Sequence, residues 1–395
     1  MVSVNVQYHQ VGDLLLESGE VLPETTIAYE TWGSLNASGD NAILILHALT
    51  GDSHAACGSN RPATLANYSP GHEESGWWEG IVGPGCVIDT EQFFVVCPNI
   101  LGGCGGSTGP ATAAPTVVDA QQKPWGSRFP AVTIRDTVHA EARVGQALGI
   151  NSFAAVIGGS LGGARALEWA LLFPELVRRC VVIASGPSAT ADHIAWAHTQ
   201  NLAIQLDPHF AGGDYYQGEP PLAGLGLARR IAHTTYRSAA ELNFRFARDM
   251  QDDARCLAPA TTSSRSKYKV ESYLDHHGQK LANRFDANSY LVINRALMSH
   301  DISRGRGTLR DALALSRCQW TIASVDSDRL FTPCESLILA ASLPQPVEAL
   351  TIRSVAGHDG FLIETDQIAN ILQSALANNH HDGQRWGVDS LAYSA

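Results

Sequence analysis

Residues 153–170 read Phe-Ala-Ala-Val-Ile-Gly-Gly-Ser-Leu-Gly-Gly-Ala-Arg-Ala-Leu-Glu-Trp-Ala: a short apolar run, a Gly158-x-Ser160-x-Gly162 turn and a helical pattern in direct succession. A strand that turns this sharply into a helix needs small neighbours, because a side chain at position 158 or 162 would crowd the backbone. The turn projects Ser160 into a cleft, and the helix that starts there supplies amide donors and the positive end of its dipole. A glycine-rich turn in which Ser160 only caps the helix is the bland alternative. The strand before and the helix after favour a nucleophile. A phosphate-binding loop fits less well, since no Lys follows at the P-loop position and the spacing is not G-x-G-x-x-G.

Similar short apolar runs occur at residues 42–46, 93–97, 181–184, 320–325 and 350–355, with helical patterns at 136–148 and 161–173. Such alternation implies an α/β protein with a mostly parallel sheet covered by helices on both faces. The chain of 395 residues exceeds the usual single-domain size, but an open sheet with an inserted cap fills such a length. The alternation fails over residues 187–315, which predicts a helical lid there, with residues 1–186 and 316–395 forming the body. One lid helix is expected from Leu225 onward, just past Gly224, with Leu227, Ile231 and Thr234 or Thr235 facing the body. A polar stretch at residues 261–269 interrupts the lid, and residues 378–395 have weak periodicity.

The net charge of -12, from 39 acidic and 27 basic side chains, repels phosphate backbones and anionic lipid surfaces. Neither nucleic acid nor a membrane is an expected partner. An anionic thioester can still bind, because a few local Arg side chains or backbone amides act against an acidic average. The eight cysteines, Cys57, Cys86, Cys97, Cys104, Cys180, Cys256, Cys318 and Cys334, form no C-x-x-C pair and read as reduced thiols. The first residues show no basic segment followed by an apolar run, and no apolar stretch is long enough to span a bilayer. A soluble cytoplasmic protein is expected.

A serine hydroxyl is a weak nucleophile at neutral pH, so it needs a base, and the base needs a group that holds its tautomer. On an α/β-hydrolase fold the order is Ser, then Asp or Glu, then His. Of the fifteen histidines, His358 has the best context, directly after the last expected strand. Its bland alternative is a polar loop residue. The acid should leave another late strand, where Asp326 lies nearer the strand and Asp328 further into the loop; spacing leaves them even, and either could be a turn or cap residue before Pro333. Oxyanion donors are expected from the N–H of Leu161, which follows the nucleophile, and from the early turn His47-Ala-Leu49-Thr-Gly51, where Leu49 is the choice. His47 precedes Ser160 and is read as structural. His193 and His198, and the adjacent His276 and His277, lack a metal-ligand pattern such as H-E-x-x-H, so no metal is expected and they read as surface or packing residues.

Several longer blocks carry a family resemblance. They are His47-Ala-Leu-Thr-Gly-Asp-Ser-His54, Gly76-Trp-Trp-Glu-Gly-Ile-Val-Gly-Pro-Gly85, Asn99-Ile-Leu-Gly-Gly-Cys-Gly-Gly-Ser-Thr-Gly-Pro110 and Phe129-Pro-Ala-Val-Thr-Ile-Arg-Asp136. Over residues 29–376 the chain resembles the homoserine O-acetyltransferases. Leu161 stands where the family more often has Met, a change that matters little to a backbone donor. The family's Ser-Asp-x-Leu-Phe block matches Ser327-Asp328-Arg-Leu-Phe331 and so favours Asp328; Thr332 stands where a proline is common. Its Gly-His-Asp-Gly-Phe-Leu block matches residues 357–362, which supports His358 and implies that Asp359 contacts the substrate amino group. The segment Gly226-Leu-Ala-Arg229-Arg-Ile-Ala-His-Thr-Thr-Tyr236-Arg237-Ser resembles the one whose Arg pairs with the substrate carboxylate. That role carries to Arg229, with Arg230 second and Tyr236 as a neighbour.

What the resemblance implies is an acyltransferase with no permanently bound cofactor. Acetyl-CoA would acylate Ser160, and L-homoserine would then take the acetyl group, in methionine biosynthesis and by a homodimer. A succinyl-CoA or serine user would keep the same triad, and an esterase would let water attack the acyl-enzyme.

Overall fold

The computed structural model describes residues 6–57, 75–251 and 267–377. Cys256, most of the polar stretch 261–269 and the tail 378–395 lie outside the described residues. The strands are β1 (Gln7–Leu15), β2 (Val21–Trp32), β3 (Ala42–Leu46), β4 (Val82–Gly83), β5 (Ile88–Asp89), β6 (Phe94–Pro98), β7 (Phe153–Gly159), β8 (Arg179–Ile183), β9 (Gln319–Val325) and β10 (Ala349–Ile352). Helices α1 (Ile134–Ala147) and α2 (Leu161–Leu172) flank β7. Between β8 and β9 run α3 (Ala191–Gln205), α4 (Leu222–Tyr236), α5 (Ala239–Phe246), α6 (Lys269–Ala282), α7 (Ala287–Met298) and α8 (Leu309–Leu313). Then come α9 (Pro333–Ser342), α10 (Gly360–Ile363) and α11 (Thr365–Ala377).

The main sheet has the order β1-β2-β6-β3-β7-β8-β9-β10, parallel from β6 onward and antiparallel at its β1-β2-β6 edge. The six expected strands are there, with small boundary shifts. The β1-β2 hairpin is an addition that the sequence did not suggest, because β1 is a largely exposed edge strand whose register breaks at Gly12. β3 and β7 are buried throughout, as befits central parallel strands. Alternate residues of β3 serve opposite faces. Leu44 and Leu46 join the core under α1, α2 and α9, with Val138, Leu167, Trp169 and Leu339, while Ile43 and Ile45 join the core under α11, with Ile368 and Leu372.

From β3 the chain goes outward to β6 on one side and then returns to β7 on the other. Loops leaving β3 and β7 therefore diverge at the C-terminal edge of the sheet, the place where open α/β sheets hold ligands. The loops after β9 and β10 reach the same edge, since Val325 is in register with Ile352 and Ile183 with Ala323.

The helical insertion packs by small residues more than by large ones. Helix α4 starts at Leu222, earlier than expected, and contains Gly224 and Gly226. A Cβ on Gly224 would lie 2.6 Å from the Ala203 carbonyl oxygen, and one on Gly278 2.8 Å from that of Gly226. These close approaches of α4 to α3 and α6 displace the expected inward face. Leu225, Ala228, Ala232 and Thr235 are buried, whereas Leu227 is exposed and Ile231 and Thr234 only partly covered. At the far end of the insertion, Ala312 and Leu313 pack in the same core as Val182 and Leu339. No helix among the described residues is long and apolar enough to cross a membrane.

Candidate active site

Ser160 sits between β7 and α2 with φ 57° and ψ -124°, a strained backbone held by its surroundings. The glycines around it are required: a Cβ on Gly158 would fall 2.0 Å from the Gly162 carbonyl oxygen, and one on Gly162 1.9 Å from that of Leu46. The Ser160 side chain makes no capping bond to α2. Its Oγ instead lies 2.8 Å from His358 Nε2.

His358 follows β10 in a short turn begun by Gly357, whose φ is 70° and whose Cβ position lies 2.6 Å from backbone atoms of Tyr236 and Ser238. The insertion is thus packed directly against the histidine turn. His358 Nδ1 lies 2.6 Å from Asp328 Oδ2. The other oxygen of Asp328 accepts N–H bonds from Leu330 at 2.8 Å and Phe331 at 3.0 Å. All three side chains are buried. Asp326, even with Asp328 by spacing, is exposed and accepts the Ser354 N–H at 3.0 Å, tying the β9 loop to the β10 loop.

This geometry sets the tautomer. Nδ1–H donates to the Asp328 carboxylate, which keeps the ring proton on Nδ1 and leaves Nε2 free to accept from the serine hydroxyl. Burial by itself pushes the His358 pKa down, but the Asp328 charge and hydrogen bond outweigh it and raise it above the ordinary 6.5. A hydroxyl can pass its proton to such an imidazole while the carboxylate stabilises the cation that forms.

Leu49 lines a cavity of about 40 Å³ together with Ser160, Trp196, Leu297, Met298 and Phe331. No Lys, Arg, Asp or Glu among the described residues lines it. Leu161 opens α2, where the first N–H groups of a helix have no intrahelical acceptor. The Leu49 turn is braced by His47, whose Nδ1–H donates to Ala48 O at 2.8 Å and whose Nε2 accepts the Ile100 N–H at 3.1 Å. Burial, helped by the Arg165 charge, pushes the His47 pKa down to about 3, so the ring stays neutral.

Arg229 and Arg230 point to different places. Arg229 Nη1 reaches Thr50 Oγ1 at 3.3 Å, next to Leu49, and its guanidinium lies 5.2 Å from the Tyr236 ring centre. Arg230 Nε pairs with Asp275 at 2.9 Å, away from Ser160. Tyr236 lines the cavity and its ring lies 5.9 Å from that of His358. Asp359 pairs with Arg237 at 3.1 Å.

Two neighbours were not singled out from the sequence, Arg237 and Phe331, which stacks on His358 at 5.4 Å; His193, read there as a surface or packing residue, lines the cavity. Arg237 and Phe331 lie inside the quoted family blocks, which was the available signal. His193 had no signal for this place, since Leu330, whose carbonyl its Nε2 meets, is 137 positions away.

Comparison with known proteins places this geometry. The family model for the alpha/beta hydrolase fold matches residues 41–365. Homoserine O-acetyltransferase of Thermobifida fusca is 49% identical over 92% of this chain and 91% of its own length. That of Mycobacterium tuberculosis is 45% identical over 94% of this chain and 93% of its own. The crystal structure of homoserine O-acetyltransferase from Bacillus anthracis superposes with a TM-score of 0.83 at 27% identity, covering 95% of this chain and 98% of that one. Identity of this order along nearly the whole chain, together with the alpha/beta hydrolase fold, means that the chain belongs to the homoserine O-acetyltransferase family.

Proposed function

We propose that the protein transfers the acetyl group of acetyl-CoA to the hydroxyl of L-homoserine, giving O-acetyl-L-homoserine and CoA. The supporting observation is the Ser160, His358 and Asp328 relay opening on a small cavity without charged Asp, Glu, Lys or Arg walls. Ser160 Oγ attacks the thioester carbon while His358 Nε2 takes its proton. The oxyanion that forms is held by the Leu49 and Leu161 N–H groups, each worth ~3 kcal/mol in comparable sites. The C–S bond then breaks, His358 returns the proton to the leaving sulfur, and acetyl-Ser160 remains. In the second half, His358 takes the homoserine hydroxyl proton, the alkoxide attacks the ester carbon, and the proton passes back to Ser160 as the product leaves.

The cavity favours acetyl over succinyl. A succinyl chain would bring a second carboxylate to a cavity lined by no Lys or Arg among the described residues, where it would compete with homoserine for Arg229. In this reading Arg229 binds the homoserine carboxylate, Tyr236 orients it, and Asp359 receives the ammonium. The helices of residues 187–315 act as a lid that keeps water from the acyl-enzyme. Acetyl-CoA enters and leaves as a substrate, and no cofactor stays bound. The same reading sets the protein in methionine biosynthesis in the cytoplasm, as a homodimer. Exposed Leu202 on α3 and Leu222 and Leu227 on α4 are consistent with a subunit contact.

The test is product identity. With homoserine and either acetyl-CoA or succinyl-CoA, mass spectrometry should find O-acetylhomoserine and little succinyl product. Without homoserine, acetyl-CoA should add one acetyl group at Ser160, and Ser160→Ala should take none. Release of free acetate as the main product, or an adduct on another residue, would overturn the proposal.

A further inference from the structure

His193 is not part of the relay, yet it touches the loop that carries the relay's acid. It is the third residue of α3, the first helix of the insertion, and its side chain is buried. Its Nδ1 accepts the Thr190 N–H at 3.2 Å while the Thr190 hydroxyl accepts the His193 N–H at 3.2 Å, a reciprocal cap at the start of the helix. With Nδ1 used as an acceptor, the ring proton resides on Nε2. That nitrogen lies 2.6 Å from the Leu330 carbonyl oxygen.

Leu330 is the residue whose own N–H donates to Asp328 Oδ1, joined there by the N–H of Phe331. The Phe331 ring also sits between the two imidazoles, 4.3 Å from His193 and 5.4 Å from His358. Glu335 lies 3.6 Å from the same His193 nitrogen. A continuous set of contacts therefore runs from the first turn of α3 to the oxygen atoms that hold the base.

We propose that His193 is a positioning residue that ties the insertion to the Asp328 loop, so that the His358 to Asp328 contact is set only when α3 is seated. The inference rests on the triad reading above. A hydrogen bond from Nε2 to the Leu330 carbonyl fixes the Leu330–Phe331 peptide, and with it the Phe331 N–H that helps aim the Asp328 carboxylate. A carboxylate displaced by about 1 Å can cost on the order of a hundredfold in rate. Since both half-reactions use His358, both depend on this contact.

Two one-sided replacements test it. His193→Asn keeps an oxygen near the Nδ1 position to accept from Thr190 but has no donor that reaches Leu330. His193→Gln puts an amide N–H near the Nε2 position. The Asn variant should keep its Tm within about 2 °C and lose about tenfold or more in both acetyl-Ser160 formation and transfer to homoserine.

In the Asn variant the acid limb of kcat/KM should also move to lower pH. Asp328 would then support the His358 cation less; of the other carboxylates acting on His358, Asp359 is held by Arg237, while Glu335, 3.6 Å from His193, changes its surroundings in both variants and so does not separate them. The Gln variant should recover most of the rate and the wild-type limb. The downfield proton resonance of the His358 to Asp328 hydrogen bond reads the same geometry in any variant that folds.

Wild-type rates with an unmoved limb in the Asn variant would overturn the proposal. So would equal losses in both variants, or a fall in Tm with the limb and the resonance in place. Acetylation of Ser160 in the wild-type protein tests the triad reading separately, so its failure is distinguishable from failure of the His193 assignment.

Discussion

The Arg237 guanidinium lies 3.1 Å from the Asp359 carboxylate, one residue beyond the histidine of the relay, and also reaches Glu241 on α5 at 3.2 Å. If Asp359 receives the homoserine ammonium, as proposed, that group joins an existing ion pair and not an isolated carboxylate. Arg237 thus ties the residue after His358 to the helical insertion.

The substrate-binding roles proposed for Arg229 and Asp359 predict a split between half-reactions. Asp359→Asn and Arg229→Ala should each form acetyl-Ser160 at near wild-type rate, yet transfer to homoserine about 10- to 100-fold more slowly, as expected for loss of a charged hydrogen-bond partner. Arg230→Ala removes only a partly exposed pair with Asp275 and should leave both rates within about twofold. Rapid-quench mass spectrometry of the adduct follows each half separately. Burst and transfer falling together would assign Arg229 to acetyl-CoA or to the lid.

The two aspartates of the β9 loop should behave very differently. Asp328→Asn offers His358 an amide in place of a charged acceptor and should lower kcat by on the order of 10⁴-fold. Asp326→Asn only weakens a bond to the Ser354 N–H and should cost about 1 kcal/mol of stability or less, with turnover nearly unchanged. Steady-state rates and thermal melts of both variants decide it, and the reverse ranking would move the role to Asp326.

Activity should fall as pH drops through a His358 pKa raised above 6.5, because the base works only when neutral. Replacing Asp328 should shift that limb to lower pH. For stability the sign is opposite to that of activity: a raised folded pKa contributes stability fully present below the unfolded value and lost as pH rises through the folded one. His47, His277 and His300 act the other way. Burial pushes them down to about 3, 4 and 4, so below about pH 6.5 the unfolded chain binds protons that the folded one refuses. With His139 and His233 also held down by burial, five depressed histidines against two raised ones, His54 and His358, predict a Tm that falls as pH is lowered from 7 to 5.

Under the nucleophile turn, Arg165 and Glu141 form a fully buried pair, with Arg165 Nε donating to Glu141 Oε1 at 2.9 Å and Trp169 Nε1–H to Oε2 at 2.8 Å. Arg165 also reaches the carbonyls of His47 and Pro98. Removing either partner leaves an uncompensated buried charge, so Arg165→Met or Glu141→Leu alone should cost about 3 to 5 kcal/mol in chemical denaturation. The double replacement should cost less than the sum of the two. Additive losses would mean that the ion pair is not the source of the penalty.

Residues 153–170 were enough to predict a strand, a tight turn and a helix around Ser160, because each depends on neighbours a few positions away. The glycines at 158 and 162 are needed wherever this turn occurs, and the apolar runs of β3, β7 and β8 announce buried parallel strands without reference to the rest of the chain. The site was different. His358 and Ser160 are 198 positions apart and Asp328 and His358 are 30 apart, so their contacts exist only once β7, β8, β9 and β10 are assembled in one sheet. Spacing could not separate Asp326 from Asp328, nor Arg229 from Arg230, since adjacent positions on a loop or helix point in different directions only after packing selects a rotation. Helix α4 shows the physical reason: its inward face was set by where glycines let three backbones approach, not by where its large apolar residues fell. What the sequence determined by itself was local conformation and the kinds of residue available for chemistry; which of them meet was decided by tertiary packing, because the contact energies that choose among them come from residues distant in the chain.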